Sequence, residues 1–477
     1  MHITIPEDVT SLDIEHIDFG DKDTLKALIL TLLNAIEQLA QTNHQLHEEN
    51  QRLKDEISRL KGEKGKPKIS PNIPPKQVDD HTKKSKNRKN RSKRPRINID
   101  RTEHIPVDKS TLPPDAVFKG YRSVIKQNIR FETDNVEYKL ERYHSPSEKR
   151  VYEAELPEDV RNSEFGSELK SFIVYLYYAG RVTENKIHKI LEEVGVVISE
   201  GEISNILTKD KKDEFTSEKQ VIFESGMEQA RYFHIDDTGA RHNGTNYNAH
   251  VVCDEKFTAF FILPKKNRDT IRSIIGLEDG EQTDKIMVSD DAGQFSEVSS
   301  LHALCWVHEI RHYLKLNPFL DWYCVLLDRY LRKLFNFYKL LKRYKEDPTE
   351  KQARYIKQRF NSLFSTKTGY SELDHRMALT KEKKAELLLV LDYPETPLHN
   401  NTAEIAVREA VIKRKISYGT RSEDGRIAWE NMLSILDTCR KCGISFYEYL
   451  RDIFSNRYTM PRLSELILGG GVASQTG

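Results

Sequence analysis

The sequence predicts a modular α/β protein, and three observations predict it. Residues 231 to 289 carry short β-like runs (Tyr232 to Asp236, Tyr247 to Asp254, Phe257 to Leu263 and Lys285 to Ser289), whereas long stretches on either side read as helical. Leucine recurs every seven residues near the N-terminus, and a proline-rich basic segment separates that stretch from everything after it. At 477 residues the chain is too long for one compact core, so about three domains are expected.

The heptad comes first. Leu25, Leu32, Leu39, Leu46, Leu53 and Leu60 form a seven-residue repeat, preceded at three-residue spacing by Ile29, Ile36, Asn43, Asn50 and Ile57. Leucine at d with β-branched residues or asparagine at a specifies a parallel two-stranded coiled coil. Asn43 and Asn50 cost stability but penalise other registers. Residues 22–62 are therefore expected to dimerise. A solitary amphipathic helix packed on its own core is the competing reading.

Residues 63–98 contain Pro67, Pro71, Pro74, Pro75 and Pro95 and almost no large apolar side chains, so they cannot build a core. Lys83, Lys84, Lys86, Arg88, Lys89, Arg91, Lys93, Arg94 and Arg96 lie there without one acid among them, leaving about −8 for the remainder of a chain whose net charge is +1. Such a run neutralises phosphates and releases their counterions, which predicts salt-sensitive, sequence-blind binding to DNA. Charge runs are also often plain solvated tails. A dimer would set two of these arms side by side.

Residues 99–165 alternate short β-like runs (Tyr121 to Phe131, Glu137 to Tyr143, Arg150 to Glu155) with turns, which predicts a small β-rich module. Residues 166–225 read as helical. Thr183 fits a helix N-cap, Gly195 a left-handed stop, and Ser199 with Glu202 a capping box for the next helix. That spacing suits a helix-turn-helix and, equally, ordinary helical packing.

Two of the later apolar runs end in paired acids, Asp236-Asp237 and Asp290-Asp291. A carboxylate held by strand backbone at a sheet edge suits hard metal ions, although acids also end strands because they favour turns. A third acid, Glu404, falls at the third position of a helix expected to be capped by Asn401. There a capping interaction and an i,i+4 pair with Arg408 would equally explain it.

The segments His234-Ile-Asp-Asp-Thr-Gly, Val288-Ser-Asp-Asp, Cys305-Trp-Val-His and Asn400-Asn-Thr-Ala-Glu, followed by Arg408 and Arg414-Lys415, together resemble the catalytic domain of insertion sequence 66 family transposases. The likeness runs with gaps from about residue 165 to 455. It implies a ribonuclease H-like mixed sheet over 226–312 and 391–455, with Asp236, Asp290 and Glu404 as the catalytic, metal-holding triad. It also implies Mg²⁺, with Mn²⁺ as a substitute, and DNA strand cleavage and transfer at element ends. Two-metal chemistry of this kind would have Asp236 bridge both ions. Because 114 residues separate Asp290 from Glu404, a helical insertion is expected over 313–390, with a C-terminal tail at 456–477. His308, Arg408, Arg414 and Lys415 are further candidates for positioning DNA. Asp237 stands where the family usually has glutamate and His399 where it has aspartate.

Other features set limits. The longest nearly apolar run, Phe172 to Gly180, is far short of the roughly 18 residues that cross a bilayer. With no secretion-like start, a cytoplasmic, nucleoid-associated protein is expected. The five cysteines all lie at or beyond Cys253, and Cys439 and Cys442 form one isolated pair, so no zinc is expected. Partners expected are DNA, a second copy, a higher oligomer on DNA and accessory proteins of the same element, with no membrane. The principal alternative is a non-catalytic dimeric DNA-binding protein derived from a transposase. A coiled-coil adaptor would leave the basic run unexplained.

Overall fold

A computed structural model describes residues 21–60, 97–130, 132–156, 161 and 163–469. The basic run from Lys83 to Arg96 lies outside them. The chain divides into two units, Met1–Gln45 with Glu132–Gly477, and Leu46–Phe131.

In the first unit the segment with strand texture forms a five-stranded sheet. Its strands are β3 (Tyr232–His242), β4 (Thr245–Cys253), β5 (Thr258–Leu263), β6 (Ile286–Ser289) and β7 (His302–Leu304), ordered β5-β4-β3-β6-β7. β3, β4 and β5 run antiparallel, while β6 lies parallel to β3 and β7 parallel to β6, making the sheet mixed. Asp254 Oδ1 accepts the amides of Lys256 and Phe257, closing the hairpin between β4 and β5. β3 is longer than the sequence predicts: Asp236 and Asp237 sit within it, because pairing with β4 continues to His242↔Thr245.

Helices flank the sheet. α2 (Ser167–Tyr178), α3 (Glu184–Glu193), α4 (Glu200–Thr208) and α5 (Lys212–Gln229) precede it. Ser199 Oγ accepts the Glu202 amide as expected of a cap, and Gly195 takes φ +86°. Ile187, Leu191, Ile203, Ile206 and Leu207 of α3 and α4 are all buried in the main core with the sheet. Between strands lies α6 (Arg268–Ile275) and, after β7, α7 (Trp306–Leu314).

The expected insertion is helical: α8 (Asp321–Glu346), α9 (Glu350–Phe364), α10 (Ser371–Glu382) and α11 (Lys384–Leu387). It has a core of its own. Along α8, Tyr323, Leu327, Tyr330, Leu334, Phe337, Leu341 and Tyr344 are buried at alternating steps of four and three, meeting Ile356, Phe360 and Phe364 of α9. Residues 313–390 carry 17 Lys and Arg against 9 Asp and Glu, so positive charge is not confined to the N-terminal arm. Arg329, Arg332, Lys333, Lys339, Lys342, Arg343, Arg354 and Lys357 are exposed on it.

After the insertion come α12 (Asn401–Ser417), α13 (Glu423–Cys442), α14 (Phe446–Phe454) and α15 (Leu463–Ile467). The expected tail is thus structured over part of its length: Leu463 and Ile467 are fully buried in the main core. The buried hydroxyls of Ser434 and Thr438 in α13 meet the Phe260 and Thr258 amides, capping the free edge of β5.

The heptad segment forms one helix, α1 (Lys22–Leu60). Asn34 bonds Gly369 O, Tyr323 OH and the Ser371 amide, and the buried Glu37 carboxylate accepts the amides of Phe319 and Leu320 at 2.7 and 3.1 Å. The predicted seam faces elsewhere: Ile29 is 54% exposed, Ile36 51% and Leu39 40%.

The predicted β-rich module is a correction. Among its described residues only a hairpin forms, β1 (Arg142–Ser145) with β2 (Arg150–Glu153). In the second unit residues 121–130 have no strand; Val124, Ile125 and Ile129 are exposed, so their alternation has no face to bury.

Candidate active site

Parallel pairing of β3 with β6 sets His234 against Val288. Continuing that register two residues brings Asp236 beside Asp290, which follows the last residue of β6. Period-two alternation puts Asp236 on the same face as His234, and it is on this face that the start of α12 lies. The connection is Asn400, fully buried. Its Oδ1 stands 2.9 Å from His234 Nδ1, its Nδ2 donates to Ile235 O at 2.9 Å, its amide donates to Cys305 Sγ at 3.2 Å, and its carbonyl accepts the Glu404 amide. One side chain therefore ties the third acid's helix to the strand of the first.

Asn400, rather than the expected Asn401, is the N-cap of α12, and its side chain caps nothing because it is spent on β3. Glu404 accordingly sits one position further into the helix than predicted. Its carboxylate is held by Arg311, whose guanidinium donates at 3.3 and 3.2 Å. Arg408, the expected partner, is 4.0 Å away and exposed.

Burial pushes the Asp236 carboxyl up to about 7, opposed by the Asp237 amide that donates to it, and the negative charges of Asp290, Asp237 and Glu404 raise it further. Asp236 thus stands near enough to Asp290 and Glu404 for their charges to reach it. Their companions are otherwise engaged. Asp237 pairs with Lys266 at 2.5 Å and accepts from Gln294 at 2.8 Å; Asp291 pairs with Lys383 of the insertion. Burial also holds the His234 imidazole down at about 4, keeping it neutral for its bond with Asn400.

Cys305 caps α7, and His308 lies one turn along the same helix, with Nδ1 3.6 Å from Glu404 Oε1. Arg414 donates to Gly239 O, while Lys415 is exposed. Arg311, Asn400 and His234 were not singled out by chemistry in the sequence. Arg311 was the most findable, three residues after His308 and so on the same helical face.

Residues 162–427 match the Transposase IS66 family, a span of more than half the chain that contains all three acids. The chain belongs to the IS66 transposase family. It is also 43% identical over 169 residues to an uncharacterized protein, y4jO, of Sinorhizobium fredii (strain NBRC 101917 / NGR234). That similarity covers 35% of this transposase and about half, 52%, of the relative. Among the described residues no helix is long and apolar enough to cross a membrane.

Proposed function

We propose that the chain is a catalytically competent DNA transposase of the DDE type, cleaving and transferring DNA strands of a bacterial insertion sequence through Asp236, Asp290 and Glu404. The observation that carries this reading is the convergence of three acids remote in sequence, two by strand register and one through Asn400. The donor set fits divalent cations: the ligands are hard carboxylate oxygens, and the Asp236 carboxyl, raised chiefly by burial and further by Asp290, Asp237 and Glu404, is one whose ionised form positive charge would favour. Mg²⁺ or Mn²⁺ bound there supplies an activated oxygen nucleophile and relief of charge on the departing oxygen.

The protein's own part is positional. Asn400 fixes the approach of Glu404, and Arg311 neutralises that carboxylate before cations arrive. Arg408, one turn beyond Glu404, and Lys415, in the last turn of the same helix, offer exposed charge to DNA phosphates. The sheet order, with three antiparallel strands followed by two parallel ones, supports a ribonuclease H-like catalytic domain. The exposed Ile29, Leu32, Ile36 and Leu39 seam supports dimerisation through a parallel coiled coil, and the basic arm at Lys83–Arg96 and the basic face of the insertion support DNA engagement. Its place of action is then nucleoid DNA in the cytoplasm.

The test uses purified protein, Mg²⁺ and DNA carrying the ends of the encoding element. Asp290→Asn abolishes strand cleavage and leaves salt-sensitive DNA binding intact. Undiminished cleavage by that variant would overturn the reading and leave a DNA-binding protein without chemistry.

A further inference from the structure

Beside the carboxylates lies a second constellation of different chemistry. The ligand atoms of Cys305, His308 and Glu404 all lie within 4.8 Å of one another. Cys305 and His308 are three residues apart at the start of α7, so both project to one side of it, and Glu404 faces them from α12. His308 Nδ1 is buried and has no hydrogen-bond partner among the described residues, although it stands 3.6 Å from Glu404 Oε1. An unsatisfied buried ring nitrogen between a sulfur and a carboxylate is costly unless something binds it.

We propose that Cys305, His308 and Glu404 form a binding site for a zinc-class dication, distinct in ligand type from the all-carboxylate site. A sulfur, nitrogen and oxygen set selects zinc or cobalt over magnesium. In a tetrahedral site with bonds of about 2.0 to 2.3 Å, neighbouring ligand atoms stand roughly 3.3 to 3.7 Å apart, so the His308–Glu404 separation is already suitable and the sulfur has only a short distance to close. Sγ already accepts the Asn400 amide at 3.2 Å, which fixes where the sulfur sits; burial pushes the thiol up, so the ion must displace its proton on binding. Three protein ligands leave one position open to water or a DNA phosphate oxygen.

Arg311 explains how the site stays intact without metal. Its half-exposed guanidinium pairs with Glu404 and lies 3.2 Å from His308 Nε2, supplying the positive charge an ion would bring. It can swing into solvent when the ion arrives. The expectation of no zinc rested on cysteine pairs alone, and a Cys-x-x-His step completed by a glutamate 96 residues after His308 is invisible to that count.

The experiment adds Co²⁺ to the chelator-treated full chain and records thiolate-to-cobalt charge-transfer absorption. The wild type gives the band, saturating near one equivalent; Cys305→Ser and His308→Gln lose it, and Cys439→Ser keeps it. Arg311→Ala strengthens cobalt binding several-fold, which a purely structural arginine would not do. Absence of the band in the wild type, or its survival in Cys305→Ser, overturns the proposal. Since Cys305 is buried, His308→Gln provides the check in case the serine variant fails to fold. The inference rests on the proposed catalytic reading only through the shared Glu404. Asp290→Asn blocks cleavage yet retains the band, so the two can fail separately.

Discussion

Replacing Asp236 by asparagine should stabilise the metal-free protein, and the size of the gain follows from the site. The Asp236 carboxyl rises from 3.8 to about 7, chiefly through burial, with Asp290, Asp237 and Glu404 adding to it. At about 1.36 kcal/mol per unit, holding it ionised in the folded state costs about 4 kcal/mol. The sign follows from which state loses its proton first. Below pH 3.8 both states are protonated and nothing is lost; from 3.8 to about 7 the unfolded chain ionises first and stability falls; above 7 the full cost persists. Asparagine keeps the oxygen that accepts the Asp237 amide, so little else changes. Urea unfolding with chelator present should find Asp236→Asn more stable by about 3 to 4 kcal/mol at pH 8 and nearly equal to wild type at pH 4. Equal stability at pH 8, or a destabilised variant, would refute the claim that burial and the neighbouring acids together hold this carboxyl up.

Other expectations concern separate parts of the molecule. Leu32→Glu with Leu39→Glu should leave the helical signal intact but convert a dimer to a monomer by light scattering, and a persistent dimer rules out the zipper seam. Glu37→Ala strands the Phe319 and Leu320 amides, so it should cost about 2 to 4 kcal/mol in urea unfolding and open α1 to proteases. Burial holds the Lys413 ammonium down at about 7, with Nζ 3.0 Å from the centre of the Tyr177 ring. Its charged form is disfavoured on folding, so stability is whole above pH 10.5 and is lost as pH falls towards 7. After allowing for the cation–ring attraction, Lys413→Met should be more stable by about 2 to 4 kcal/mol at pH 6, with the gain vanishing near pH 11.

What the residues disclosed in advance depended on how local the cause was. The Ser199 cap and the first four strands of the sheet follow from short-range periodicity and hydrogen bonding and appear where the pattern puts them, whereas β7, three residues long, is too short to carry a pattern. Asp236 and Asp290 could be marked because each follows an apolar run, but the length of β3 depends on its pairing with β4, which no single run encodes. Residues 121–130 mislead for the same reason: alternation without an opposing face makes no strand. Asn400 has the composition of a cap, and its actual bonds to Ile235 and His234 span 165 and 166 residues. Glu404 likewise gained Arg311 from another helix as a closer partner than its i,i+4 neighbour Arg408. Tertiary contacts of this span leave no periodic trace.

The central claim is that Asp236, Asp290 and Glu404 share cations. Calorimetric titration of Mn²⁺ into the purified protein and into Asp236→Asn, Asp290→Asn and Glu404→Gln tests it most directly. The account predicts that each substitution weakens the same binding event seen in wild type. Binding by Glu404→Gln that is indistinguishable from wild type would contradict it, since the third acid would then stand outside the shared pocket.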